Sequence, residues 1–130
     1  MTYALDANTL IYYFKGMGRV TACMSRVPPN SIALPTVVLF ELHINLVKSR
    51  NSGRRATLLQ AFVAKSLILP LDQNAAICAA RIRAQLEQRG QPIGPFDTLI
   101  AGIAMASQAT LVTHSTRESK VEGLMLEDWY

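Results

Sequence analysis

Cysteine is nearly absent: Cys23 and Cys78 are the only two in 130 residues. They lie far apart in apolar, helix-like contexts, with no further spacing that would build a secreted disulfide framework or a zinc site. Both are expected to be reduced and buried. Glycine (7) and proline (6) are sparse as well, which excludes collagen-like and low-complexity chains. No stretch approaches the roughly 18 uncharged apolar residues that a spanning helix needs. The opening residues carry no Lys or Arg ahead of their apolar stretch, and Asp6 and Asn8 interrupt it. That speaks against a secretory signal and leads us to expect a cytoplasmic protein with no membrane partner. Carboxylates are few, 9 against 13 Lys plus Arg, for a net charge of +4. Such a balance favours polyanions, though many proteins carry it and bind none.

Half of the residues (50%) are apolar, enough for one domain over 1–130 to bury about two-thirds of its extended surface without staples. Thr2 to Leu5 is a short apolar run ending at Asp6, and Asn8 or Thr9 is placed to cap a helix with apolar positions Leu10, Ile11, Tyr13 and Phe14. Pro28, Pro29 and Asn30 mark a turn before a strand, Ser31 to Leu34, and Pro35-Thr36 introduces the helix Val37 to Val47. Lys48 to Arg55 reads as a basic loop or helix start, Leu58 to Lys65 as an amphipathic helix, and Leu67 to Leu71 as a short strand. Asp72 caps Gln73 to Arg89, whose apolar face is predicted at Ala76, Ile77, Ala80, Ile82 and Leu86, and Gly90 ends it. A helix from Phe96 to Ala106 and a strand from Thr110 to Thr113 follow, then a polar tail holding Leu126, Trp129 and Tyr130. Strands alternating with helices predict an α/β fold: a mostly parallel sheet covered on both faces, with active groups at the carboxyl ends of the strands.

Six carboxylates, Asp72, Glu87, Glu118, Glu122, Glu127 and Asp128, sit among polar neighbours and need only solvation or capping. Asp6, Glu41 and Asp97 do not. Asp6 ends the first apolar strand, Glu41 lies within Val37-Val38-Leu39-Phe40-Glu41-Leu42, and Asp97 opens an otherwise apolar helix after Gly94-Pro95. An ionised carboxylate in a dry site needs a partner, and Lys and Arg are scarce nearby in the sequence. Each acid also has a bland explanation: a strand end, a solvent-facing helix edge beside His43 and Asn45, a helix-start acid favoured by the dipole. Taken together they suit a cleft where oxygen ligands hold Mg²⁺ or Mn²⁺. Such a cation lowers the pKa of a bound water and neutralises charge at phosphorus, the requirement of metal-assisted phosphodiester hydrolysis.

These residues, in order, resemble the PIN-domain ribonucleases and, among them, the VapC toxins of bacterial toxin-antitoxin pairs. The resemblance spans essentially the whole chain through Leu5-Asp6-Ala7-Asn8-Thr9, Glu41-Leu42, Gly90 to Asp97 leading into Leu99-Ile100-Ala101, Leu111-Val112-Thr113, Thr116-Arg117-Glu118, Val121 to Leu124 and Glu127-Asp128-Trp129. It implies a PIN-like α/β/α sandwich and a Mg²⁺- or Mn²⁺-dependent endoribonuclease. It also implies a homodimer, and a VapB-type antitoxin that occupies the active-site groove and supplies any contact with DNA. Asp6, Glu41 and Asp97 match the acidic triad that holds metal, and Asn8 or Thr9 the polar position that supports it. The Gly-Pro-Phe-Asp and Thr-Arg-Glu signatures look like the subgroup that cuts initiator tRNA in its anticodon loop.

The chain departs from the family after its last predicted strand, with Ser115 where Asn or Asp is usual and Ser119 where an aromatic is usual. Serine is a poorer metal ligand than a carboxylate. Glu118 stands nearby either to complete the site through a water or as a solvated loop acid. These departures motivate a second reading, a catalytically weakened PIN-like module that binds RNA or antitoxin. His43 and His114 are weak candidates for a general base, since hydrolysis of this kind needs none and His43 points away from Glu41 on a helix. Lys48, Arg50, Arg54 and Arg55 form a candidate phosphate-contacting patch. Tyr12, Tyr13 and Phe14 could stack on unpaired bases, although Phe14 reads first as core. The small residues Ala101, Gly102, Ala104 and Ala106 read as close packing of their helix against the sheet, and second as a dimer seam.

Overall fold

Two consecutive residues of the first strand are sealed from solvent: Ala4 and Leu5 in β1 (Tyr3–Leu5) are both 0% exposed. Successive strand side chains point to opposite faces, so both faces of the sheet must be covered. The computed structural model, which describes residues 1–50 and 52–130, shows this arrangement. Strands β1, β2 (Ile32–Pro35), β3 (Leu67–Leu69), β4 (Thr110–Val112) and β5 (Leu126–Glu127) form one sheet in the order β3-β2-β1-β4-β5. Every pairing in it is parallel.

Helices α1 (Ala7–Lys15), α2 (Val20–Ser25), α3 (Thr36–Lys48), α4 (Ser52–Ala64), α5 (Gln73–Gln88) and α6 (Pro95–Ala106) cover the two sides. Short 3₁₀ turns lie at Pro29–Ser31 and Arg117–Lys120. The chain winds outward from β1 through β2 to β3, then crosses back to place β4 on the other side of β1. The direction of winding reverses between β1 and β4, so a crevice opens outside their carboxyl ends, where open α/β sheets bind their ligands.

The main core joins the sheet residues Leu5, Leu34, Leu111 and Val112 to Leu10 of α1, Val38 of α3 and Ile103 of α6. A second cluster of Ile82, Leu86, Ala101 and Val121 lies between α5 and α6. There the small residues of α6 pack against α5 as well as the sheet. A Cβ built on Gly102 would come within 2.6 Å of the Cβ of Ala79 and within 2.8 Å of its backbone N and Cα. Glycine is required by that contact.

Several expectations are corrected. The first helix is capped by Asp6, whose side chain accepts from the N–H of Thr9, and not by Asn8 or Thr9. The buried face of α5 is Ala75, Ala79, Ile82 and Leu86, while Ala76, Ala80 and Ile77 (43% exposed) face outward. Alanine stands on every side of that helix, so the pattern has little contrast. The tail contributes β5, and Trp129 is buried against Tyr3 at a ring separation of 5.3 Å. Helix α2 supplies bounds for the helix-like context of Cys23, to which the sequence had given no limits. Both cysteines are free as expected but only half-buried. Asn51, inside the segment Lys48 to Arg55, lies outside the described residues, and α4 begins at Ser52.

The α5–α6 contact yields a prediction. Gly102→Ala places a methyl group on backbone atoms that cannot rotate away, so it should destabilise the fold by at least the ~1–3 kcal/mol typical of overpacking. A lower urea midpoint at constant slope checks this; a neutral substitution would mean the helices separate freely.

Candidate active site

Asp6 leaves the carboxyl end of β1 and does two things at once. Its backbone N–H donates to the carbonyl of Val112 on β4 (3.1 Å), and its Oδ1 accepts from Thr9 N–H (2.8 Å). Thr9 is buried and its hydroxyl donates to the same Val112 carbonyl (3.2 Å). Thr9 is therefore the residue that fixes Asp6, while Asn8 is exposed. Asp97 occupies the third position of α6, after Gly94 as N-cap and Pro95 at the first turn. Free N–H groups and the helix dipole favour a carboxylate there. Its carboxylate lies over Gly94, where a Cβ would stand 3.4 Å from Oδ2.

Glu41 is half-buried on α3. Burial raises its pKa above the usual carboxylate value, and the charges of Asp97 and then Asp6 raise it further. Acids 35 and 56 residues away along the chain thus act on Glu41 through space. Glu118 joins them. It is 3% exposed, not a solvated loop acid, and its Oε2 has no hydrogen-bond partner among the described residues. Burial pushes its pKa up; its own backbone N–H and the Ser115 hydroxyl pull it down, Asp97 adds to the rise and Arg117 opposes it.

Asp97 is the common neighbour of Glu41 and Glu118, and it carries an ion pair. Arg117 Nη2 stands 3.1 Å from Asp97 Oδ2, with the arginine side chain 60% exposed and that of Asp97 26% exposed. The two residues lie 20 positions apart, so no local pattern in the sequence marks the pair. Like charges do not pack tightly unaided. Among the described residues, no group of three or more His, Cys, Asp or Glu side chains stands close enough together to hold a metal ion as they are placed.

The remaining sequence candidates fall into place around this group. Ser115 accepts from the N–H of Arg117 (3.3 Å) and bonds to Glu118, so it braces a neighbouring acid. Ser119 is exposed and its hydroxyl closes the turn onto the Thr116 carbonyl (2.6 Å). His43 is exposed. His114 pairs with Asp128 at 2.9 Å and stacks on Tyr130 at 4.4 Å. Phe14 and Tyr13 are half-buried against Phe62, and Tyr12 against Tyr130. Lys48, Arg54 and Arg55, with Lys15, rim a groove of about 660 Å³ whose apolar walls include Ile11, Phe14, Leu42, Leu46 and Leu58.

The PIN domain family model matches residues 3–124. A tRNA(fMet)-specific endonuclease VapC of Shigella flexneri is 33% identical over 130 residues, covering 99% of this chain and 98% of that protein. Ribonuclease VapC2 of Rickettsia felis is 31% identical over 138 aligned positions, again covering 99% and 98%. Among solved structures, VapBC2 from Rickettsia felis bound to a DNA fragment from their promoter is similar with a TM-score of 0.93, 30% identity and full coverage of both chains. DNA-bound VapBC from Salmonella typhimurium gives a TM-score of 0.92 at 28% identity, covering 100% of this chain and 99% of that one.

The placement of Glu118 yields a pH prediction. Its folded pKa lies above the ordinary value of 4.5 to which it returns on unfolding, so its protonated form favours the folded state. That contribution is fully present below the ordinary value and is lost as pH rises through the raised one. In chelator-treated protein, Glu118→Gln should match wild type in urea stability at low pH and gain on it as pH climbs past that window. Parallel pH profiles for the two proteins would show that Glu118 is not desolvated.

Proposed function

The chain belongs to the PIN-domain family, and from that membership and its gathered acids we propose that it is a divalent-metal-dependent endoribonuclease, the toxin of a toxin-antitoxin pair. The observation that carries the reading is the placement of the acids: Asp6 at the carboxyl end of β1 and bonded to Val112 of β4, Asp97 in the first turn of α6, and Glu118 buried, its Oε2 unpartnered among the described residues, one residue from the Arg117 that pairs with Asp97. The substrate class is RNA, with the anticodon loop of initiator tRNA first among targets, given the tRNA(fMet)-specific relative. The protein works where that RNA is found, in the cytoplasm.

The residues fit Mg²⁺ or Mn²⁺. All the donors are carboxylate oxygens, the hard ligands these ions take, and Glu118 Oε2 is a buried acceptor with no partner among the described residues. Asp6, Glu41 and Asp97 would hold the ion, with Glu118 completing the set directly or through water. A cation bound there supplies acidity to water and neutralises charge developing at phosphorus. The protein's own residues do the rest. Thr9 keeps Asp6 in place, Ser115 braces Glu118, and the first turn of α6 presents Asp97. With the fourth acid at 118, a serine at 115 costs the site no carboxylate, so nothing favours the weakened-module reading.

A VapB-type antitoxin is the protein partner, as in the complexes formed by its structural relatives, and DNA contact comes through it. The groove between α1, α3 and α4 suits such a partner. Its apolar walls would take the nonpolar side of a peptide, and Lys15, Lys48, Arg54 and Arg55 its acidic flanks. A second copy of the chain completes the assembly as a homodimer.

Asp6→Asn separates chemistry from folding, because asparagine caps a helix about as well as aspartate. Asp97→Asn forfeits the ~0.3–1 kcal/mol of a charge at the helix start and the ~0.2–1 kcal/mol of an exposed pair with Arg117. Both variants should therefore stay folded while losing RNA cleavage and Mn²⁺ affinity by about 100-fold or more, since even outer-shell partners of metal ligands cost 10–100-fold. Calorimetric Mn²⁺ titration and gel assay of RNA cleavage measure this; full cleavage by either variant rules out the mechanism.

A further inference from the structure

We propose that Arg117 is a displaceable internal cation: it neutralises Asp97 until a divalent ion takes that carboxylate, and its guanidinium then turns to a phosphate of the RNA. The inference rests on the nuclease reading and adds to it a positioning residue that couples metal loading to substrate binding.

Three observations carry it. First, Arg117 contacts the carboxylate shared by the other acids: Nη2 lies 3.1 Å from Asp97 Oδ2. A guanidinium and a divalent ion drawn to one oxygen compete, because each attracts the same lone pairs and repels the other. Second, the pair is weakly held. The arginine side chain is 60% exposed, and exposed ion pairs are screened by solvent and give up side-chain entropy to stay formed. A purely structural arginine would be expected to be enclosed and bonded on several sides. Among the described residues, Asp97 is the only carboxylate with which Arg117 forms an ion pair.

Third, the backbone beneath this exposed side chain is held by hydrogen bonds. The Arg117 N–H donates to Ser115 Oγ, the Val121 N–H donates to the Glu118 carbonyl (3.0 Å), and the Glu118 side chain is buried. Adjacent residues thus point in opposite senses, Glu118 into the fold and Arg117 out over the acids. Once released, the guanidinium stays at the lip of the site. Its planar fork matches two phosphate oxygens, which a lysine ammonium cannot do in the same way. Four carboxylates would otherwise repel a polyanion, so a cation set free only on metal loading favours RNA binding at the moment the site is able to act.

The test uses the full chain as wild type, Arg117→Ala, Arg117→Lys and Asp97→Asn. Mn²⁺ affinity is measured by calorimetry without RNA. Binding of a phosphorothioate single-stranded RNA is measured by fluorescence anisotropy in Ca²⁺. Removing the competitor should tighten Mn²⁺ binding in Arg117→Ala by about two- to five-fold, the equivalent of one exposed ion pair. The same variant should bind RNA more weakly and with a shallower salt dependence, and Arg117→Lys should fall between. Unchanged or weakened Mn²⁺ binding in Arg117→Ala overturns the displacement, and unchanged RNA binding overturns the phosphate contact. If wild type and Asp97→Asn both take up no Mn²⁺, the nuclease reading itself fails and this inference falls with it.

Discussion

The carbonyl of Val112 accepts two hydrogen bonds from the start of the first helix, one from the Asp6 N–H and one from the Thr9 hydroxyl. The site depends on that junction. It ties the fourth strand, more than a hundred residues later, to the first, and it does so at the end of β1 where the winding reverses. Together with the parallel β1–β4 ladder, it holds the end of β4, from which the turn carrying Arg117 and Glu118 follows, against the end of β1. A parallel sheet makes such a junction costly to form, because the intervening chain must be ordered first. The return is a site assembled from four separate segments on rigid supports.

Electrostatics then shapes what the fold has brought together. Glu41 and Glu118 are both driven up by burial and by Asp97, so charge at the site is destabilising unless something compensates it. The protein supplies part of the compensation itself, through the α6 N-terminus, the Glu118 backbone N–H, the Ser115 hydroxyl and Arg117. None of these is a full neutralisation. On the proposed nuclease reading, a hard divalent cation supplies the rest.

Much of this could be read along the chain, and the failures have physical causes. Asp6, Glu41 and Asp97 stood out because each interrupts an apolar run, and Gly94-Pro95 announced a helix start that the structure shows. Glu118 could be read either as completing the site or as a solvated loop acid: its neighbours Arg117, Ser119 and Lys120 are exposed, and only the turn Arg117–Lys120 shows that it is driven inward. The ion pair of Arg117 was invisible because it joins the start of α6 to the turn after β4, and contact between separate segments leaves no local pattern. Strand β5 has two residues and no period to detect. The alanines of α5 stand on both its inward and outward sides, so its buried face had to be found from its contact with α6 and not from hydropathy.

That contact has a further consequence for how such a sequence can drift. Gly102 meets the main-chain N and Cα of Ala79 as well as its Cβ. Trimming residue 79 to glycine would remove only one of the three offending atoms, so no companion change at 79 can rescue a larger residue at 102. The glycine is locked by its neighbour's backbone, while residues around it remain free to vary. Since α6 also presents Asp97, five residues or about one and a half turns before Gly102, the same close contact that fixes α6 against α5 fixes the helix that carries the acid.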